Sequence, residues 1–294
     1  MALHLSNRRV LLTGASRGLG EAIAIRLARD GASVALVARG EPELQSLANR
    51  LTADPMIDGQ TFLAIAADLS YPKDIDRAVE ICQSELGEID ILVNNAATQG
   101  PIGPLESADF VAWRESFDIN LFTPARLCQL VIPAMRRRGA GKIINISGGG
   151  ATSPRPDFTA YAAAKCALVR LTETLAEELK GAGIDVNAVS PGAMNTRMLD
   201  EVLEAGPHGA SREYSAALTR RREGGASMKD AADLVAMLAS SSCDGISGRL
   251  ISAVWDDWKH LFNRRDELAG TDLYTLRRVT TSEKKPVGPS LTIK

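Results

Sequence analysis

Tyr161 and Lys165 stand four residues apart in a stretch, 160–180, where Leu168, Leu171, Leu175 and Leu179 recur at helical spacing. That spacing predicts a helix with a phenol and an ammonium on one face. A cation held beside a phenol favours the phenolate, which draws the tyrosine pKa toward the range where it exchanges a proton. Taken alone, such a pair is more often an exposed helical couple than a site. The leucine stripe shifts that balance, because it docks the helix on a sheet whose strand ends carry a second feature.

That feature is Thr13-Gly14-Ala15-Ser16-Arg17-Gly18-Leu19-Gly20, which directly follows a strand-like run and opens into a helix. Glycines at this Gly-x-x-x-Gly-x-Gly spacing let the backbone turn sharply and approach a pyrophosphate, whose charge meets free N–H groups at the helix N-terminus. Standing alone, the turn would read equally well as a strand-to-helix loop with no ligand. The Gly-Lys-Ser/Thr ending of nucleoside triphosphatases is absent. An acidic residue at the end of the second strand would bond the ribose 2′-hydroxyl of NAD(H). Ala38 and Arg39 stand there instead. Arg39 with Arg17 can grip a 2′-phosphate through charge-assisted hydrogen bonds, which favours NADP(H) over NAD(H); the alternative is two solvated surface arginines.

The elements that must position these groups follow from periodicity. Strands are expected at 9–13, 33–38, 61–66, 89–93, 142–147, 184–189 and 249–254, several of them continuous apolar runs such as Val34-Ala35-Leu36-Val37. Helices are expected at 18–30, 43–51, 72–85, 107–138, 160–180 and 229–240. The alternation predicts an α/β fold, a single doubly wound, Rossmann-type parallel sheet of about seven strands with helices on both faces, in one domain over residues 1–254. Residues 195–227, with Gly206-Pro207, Gly209 and Gly224-Gly225, suit a mobile lid or insertion. Residues 255–294 form a tail whose polar end, 280–294, is expected to be poorly ordered or borrowed by a partner subunit.

Composition narrows the function classes. The 294 residues carry 34 Lys plus Arg against 36 Asp plus Glu, a formal charge of −2 that gives no reason to expect nucleic acid or an anionic membrane as partner. Cys82, Cys128, Cys166 and Cys243 form no zinc-type cluster and read as reduced thiols. No apolar run approaches the roughly 20 residues a bilayer demands, and the first strand starts too near Met1 for a removable signal peptide. The expected location is cytoplasmic.

Taken together, in this order and over roughly residues 7–253, these segments resemble the classical short-chain dehydrogenase/reductase family. Thr13–Gly20 is similar to its glycine motif, which makes Gly14, Ser16, Arg17, Gly18, Leu19 and Gly20 expected cofactor contacts. Asp68-Leu69 resembles its adenine-contacting pair. Asn94-Asn95-Ala96-Ala97 resembles its Asn-Asn-Ala-Gly segment with the last glycine replaced, and brings in Asn95. Asn120 matches the helix asparagine, Tyr161-Ala162-Ala163-Ala164-Lys165 the Tyr-x-x-x-Lys motif, and Pro191-Gly192 with Thr196 the segment beside the nicotinamide. The resemblance implies that Tyr161 is the general acid or base, that Lys165 lowers its pKa and holds the nicotinamide ribose, and that Asn120 keeps a water in a proton relay. Hydride would pass, without a metal, between the nicotinamide and the carbon of a small-molecule carbonyl or alcohol. A homodimer or homotetramer is implied as well.

The family's substrate-orienting serine, expected thirteen residues before the tyrosine, falls on Gly148. Ser147 is one residue earlier, and three readings stay open: Ser147 turned into the cleft by Gly148-Gly149-Gly150, Thr152 or Ser153 in its place, or no hydroxyl at all. Ser147 as a strand-end hydroxyl capping the turn is an equal alternative. Trp255 and Trp258 replace the usual end of the sheet and could close the substrate cleft or pack between subunits, interface packing being the expected use. Arg220-Arg221-Arg222 could recognise an anionic substrate but reads by default as a solvated charge run. The rival to an oxidoreductase is a non-catalytic NADP(H)-binding regulator or scaffold, which gains from Gly148 and loses from Tyr161, Lys165 and Asn120.

Overall fold

A computed structural model describes residues 5–279. Strands β1 (Arg9–Thr13), β2 (Ser33–Ala38), β3 (Phe62–Ala66), β4 (Ile91–Asn94), β5 (Gly141–Ile146), β6 (Ile184–Ser190) and β7 (Leu250–Ser252) form one parallel sheet in the order β3-β2-β1-β4-β5-β6-β7. The helices are α1 (Gly18–Arg29), α2 (Glu41–Ala53), α3 (Pro72–Leu86), α4 (Phe110–Phe117), α5 (Thr123–Arg138), α6 (Thr159–Glu178), α7 (Arg197–Gly209), α8 (Ser211–Glu223), α9 (Met228–Ala239) and α10 (Arg265–Leu268). The strand order reverses between β1 and β4, so the crossovers leave to opposite sides and open a crevice at the C-terminal ends of those strands.

Strand alternation builds two cores. Val10, Leu12, Val34, Leu36 and Ile144 pack under α1, α2 and α9, while Leu11, Ala35, Val37 and Ile143 face α3, α5 and α6. Both faces are covered by helices, so the runs are mostly apolar, and the buried amides within them, Asn145 and Asn187, are hydrogen-bonded to Thr172 Oγ1 and Ile246 O. β7 is shorter than its apolar run. Ser252 N donates to Asp256 Oδ2 at 2.7 Å, and the Ser252 hydroxyl accepts Val254 N and Trp255 N at 3.2 and 3.1 Å, turning the chain out of the sheet.

Three expectations are corrected. The helix expected over 107–138 is broken: Asp109 caps α4 through Val111 N at 2.8 Å, and a π turn, Asp118–Phe122, separates α4 from α5. Pro124 has no N–H to give the Asn120 carbonyl four residues back, and the ladder widens there. The lid expected over 195–227 is a pair of helices, α7 and α8, kinked at Gly206 (φ 70°) before Pro207. Its glycines and proline punctuate helices instead of replacing them, because Leu199, Val202 and Ala217 have an apolar surface to bury against Phe158 and Tyr161. Trp258, expected at a subunit interface, is 7% exposed in this chain's own core and donates Nε1 to Ala253 O at 3.1 Å, whereas Trp255 is 84% exposed.

The tail closes over the edge of β7. Tyr274 O accepts Leu250 N at 2.7 Å, and the Arg249 guanidinium donates to the carbonyls of Leu268, Thr271 and Leu273 at 2.6–2.7 Å. Residues 280–294 lie outside the described residues. Among the described residues no helix is long and apolar enough to cross a membrane.

Candidate active site

The glycine turn lies at the C-terminal end of β1. Gly14 (φ +65°) approaches β4 so closely that a Cβ there would stand 2.8 Å from Ala96 Cα, and one on Gly20 would stand 2.0 Å from Gly14 O. Only glycine fits either place. Asn95 braces the turn, donating Nδ2 to Thr13 O and Gly14 O at 3.0 and 3.1 Å, while Thr13 Oγ1 accepts Asn95 N and Ala96 N at 3.0 Å. No side chain caps the first turn of α1. Its leading N–H groups thus remain for an anion, and the cradle fits a dinucleotide pyrophosphate.

Arg17 and Arg39, beside this turn and after β2, are both exposed. Asp68 Oδ1 accepts Ser70 N and Oγ at 3.1 and 2.8 Å, and Leu69 is buried with its carbonyl accepting Thr123 Oγ1 at 2.6 Å. Pro191 and Gly192 (φ +86°) end β6, and a Cβ on Gly192 would stand 2.5 Å from Val254 Cγ2. Thr196 precedes α7, its Cγ2 3.5 Å from where a Gly18 Cβ would be. Ser16, Gly18 and Leu19 complete the turn.

Tyr161 and Lys165 occupy the first turns of α6. Lys165 is 1% exposed and donates Nζ to Ile146 O at 2.8 Å, its nitrogen 5.6 Å from the Tyr161 ring centre. Burial draws its pKa down to about 7. Burial pushes the Tyr161 phenol above its ordinary value, Arg155 opposing and Glu213 reinforcing the shift. Asn120, fully buried in the π turn, donates Nδ2 to Thr98 O and Ser116 O at 2.7 and 2.8 Å and accepts Thr98 N at 3.3 Å. Its amide is spent on the loop after β4 and on α4.

Gly148 is explained by the phenol. A Cβ there would stand 2.2 Å from Tyr161 Oη, so any side chain would have to displace the hydroxyl. Ser147 is 2% exposed with Oγ buried and bonded to no described atom. It shares the face of β5 with Asn145, which donates to Thr172 Oγ1 on α6 at 2.8 Å. Thr152 and Ser153 are exposed on the following loop.

Three residues that sequence reasoning passed over complete the cleft. Arg155 lies over the Phe158 ring and pairs with Glu213 of α8, while buried Gln99 links Arg155 to the Met198 carbonyl of α7. No motif or spacing announces them. Arg155 and Glu213 are 58 residues apart.

The chain is similar in sequence and fold to known proteins. The family described as short chain dehydrogenase matches residues 8–206. Dehydrogenase/reductase SDR family member 4 of Homo sapiens is 33% identical over 250 residues, covering 84% of this chain and 86% of that protein. A solved 7α-hydroxysteroid dehydrogenase complexed with NADH and 7-oxo glycochenodeoxycholic acid superposes with a TM-score of 0.75 at 28% identity, over 85% of this chain and 94% of that one. A blue fluorescent protein from a metagenomic library, in complex with NADPH, gives 0.72 at 31% identity, over 85% and 97%. The chain belongs to the short-chain dehydrogenase family, a family of oxidoreductases.

Proposed function

We propose that the chain is an NADP(H)-dependent oxidoreductase interconverting a carbonyl and a secondary alcohol, with Tyr161 as general acid and base. The observation that carries this reading is the crevice itself: the phenol of Tyr161 and the ammonium of Lys165 stand on α6, in a sheet whose glycine turn leaves an uncapped helix N-terminus. Bound there, NADP(H) supplies or accepts the hydride. Gly14, Gly18 and Gly20 admit the pyrophosphate to the N–H groups of α1, and Arg39 with Arg17 holds a 2′-phosphate. Leu69 and Asp68 flank the adenine, and Pro191, Gly192 and Thr196 the nicotinamide. Tyr161 gives its proton to the substrate oxygen on reduction and takes it back on oxidation. Lys165, anchored at 2.8 Å to Ile146 O, is placed to hold the ribose.

Because the Asn120 amide is consumed by Thr98 and Ser116, its backbone carbonyl, freed by Pro124, is the group able to hold a relay water. NADP(H) is preferred over NAD(H) for want of a carboxylate after Ala38. The proposal includes a cytoplasmic homodimer or homotetramer, supported by the stacked run Phe110, Trp113 and Phe117 with Phe110 and Phe122 exposed at 64% and 57%.

Gly148 favours one other reading, a non-catalytic NADP(H)-binding regulator. A panel of ketones, sugars and acyl substrates with NADPH separates the two. In the enzyme, Tyr161→Phe lowers turnover by about 10²–10⁴-fold with NADPH affinity nearly intact. Near-normal turnover in this variant would sink the mechanism, and turnover of nothing by the wild type would favour the regulator.

A further inference from the structure

Arg155 follows the Gly148–Gly150 turn, and its guanidinium carbon lies 3.7 Å from the Phe158 ring centre and 5.3 Å from that of Tyr161. Nε and Nη2 donate in parallel to both carboxylate oxygens of Glu213 at 2.9 and 2.6 Å, and Nη2 donates to Gln99 Oε1 at 3.2 Å. Gln99 donates onward to Met198 O at 2.6 Å, and the Ser211 hydroxyl at the head of α8 bonds Asp157 in the same loop. One fork thus ties the loops after β4 and β5 to both helices of the cover, around the phenol. The Arg155 side chain is 14% exposed and that of Glu213 30%, so the pair is only partly screened by water.

The charged and titratable groups facing the phenol come from three elements. Lys165 stands on its own helix, Arg155 on the loop after β5, and Glu213 with the phenol of Tyr214 on α8; Phe158, Leu199, Val202 and Ala217 are apolar. Lys165 commits its ammonium to a carbonyl and loses its proton near neutrality. The Arg155 guanidinium is not so committed to a backbone carbonyl and lies 5.3 Å from the Tyr161 ring centre.

We propose that Arg155 is a positioning residue that sets the proton affinity of Tyr161, and that Glu213 makes this setting depend on closure of the α7–α8 cover. The proposal rests on the reading of Tyr161 as the proton donor. With the cover closed, Glu213 offsets the guanidinium charge and the phenol holds its proton. With α8 lifted, the uncompensated guanidinium favours the phenolate. Burial and Glu213 raise the Tyr161 pKa while Arg155 lowers it, the signs this arrangement requires. Closure over a substrate carbonyl therefore keeps the donor protonated until the oxygen is in place.

Tyrosinate absorbance tests this on the whole chain without a substrate. The chain has 4 tyrosines, so subtracting the titration of Tyr161→Phe isolates this one. Arg155→Met should raise the Tyr161 midpoint by about one pH unit, roughly tenfold in the ionised fraction, and Glu213→Gln should lower it by a comparable amount. Arg155→Lys, which keeps the charge and loses the fork, should stay near the wild-type midpoint. A merely structural latch predicts that breaking either partner moves the midpoint the same way, and that result, or no movement in either variant, overturns the proposal. Circular dichroism at each pH confirms folding. If Arg155→Met does not fold, Glu213→Gln decides: a midpoint that is unchanged or raised overturns the coupling. The ketone panel with Tyr161→Phe tests the underlying reading separately, since titration needs no turnover.

Discussion

Replacing Lys165 by Met should change how stability depends on pH, and the size of the change follows from its burial. In the folded chain the ammonium is 1% exposed, bonded to one carbonyl, and loses its proton at about 7 instead of 10.5. Between those values the unfolded chain binds a proton that the folded chain does not, so stability rises with pH across the interval; below it, wild type bears the full cost of burying the charge. Each pH unit inside the interval contributes about 1.4 kcal/mol, so from about pH 7 to about pH 9 wild type should gain roughly 2–3 kcal/mol that Lys165→Met does not. Cys82 and Cys128, pushed up to about 12 by burial, work the other way above the ordinary thiol value of 9.0, since the folded chain retains protons the unfolded chain loses. Both proteins carry them, and the difference between the two isolates Lys165. Urea unfolding of the cofactor-free proteins at several pH values measures it. Parallel stability curves for the two proteins would refute the reasoning, and so would a wild type that weakens relative to the Met variant as pH rises.

Arg39→Ala should weaken NADPH binding by about 1.5–3 kcal/mol and leave NADH nearly unchanged, as fluorescence titration of both cofactors would show; tighter wild-type binding of NADH than NADPH would remove the phosphate role. Gly148→Ser, which installs the residue the family usually carries, should lower turnover of whichever ketone is found by about tenfold or more, because its Cβ would fall 2.2 Å from Tyr161 Oη and the phenol must move. A gain in turnover would show that the pocket accommodates both hydroxyls.

The alternation of apolar runs with amphipathic stretches is a local pattern, and it placed all seven strands, since strands covered on both faces stay predominantly apolar even where they carry a residue such as Asn145 or Asn187. The glycine turn was legible for the same reason: a Cβ at Gly20 would strike Gly14 O, a constraint written within eight residues of chain. The π turn around Asn120 was missed, because amphipathic periodicity runs straight through it and the helix expected over 107–138 did not weigh the missing N–H of Pro124. Turn signals misled at Gly206-Pro207, where a kink between helices and a loop have the same composition. Other properties of the site have no local cause. Trp258 is core and Trp255 is surface because the chain turns out of the sheet after Ser252, leaving Trp255 on the turn and bringing Trp258 back against Ala253. Arg155 meets Glu213 only because the cover folds back onto the loop after β5. The proton affinities of Tyr161 and Lys165 depend on how much water the rest of the molecule excludes. Spacing four residues apart puts a phenol and an ammonium on one face, but desolvation and the charges that reach them are sums over all surrounding atoms, and only the packed tertiary structure assembles those atoms.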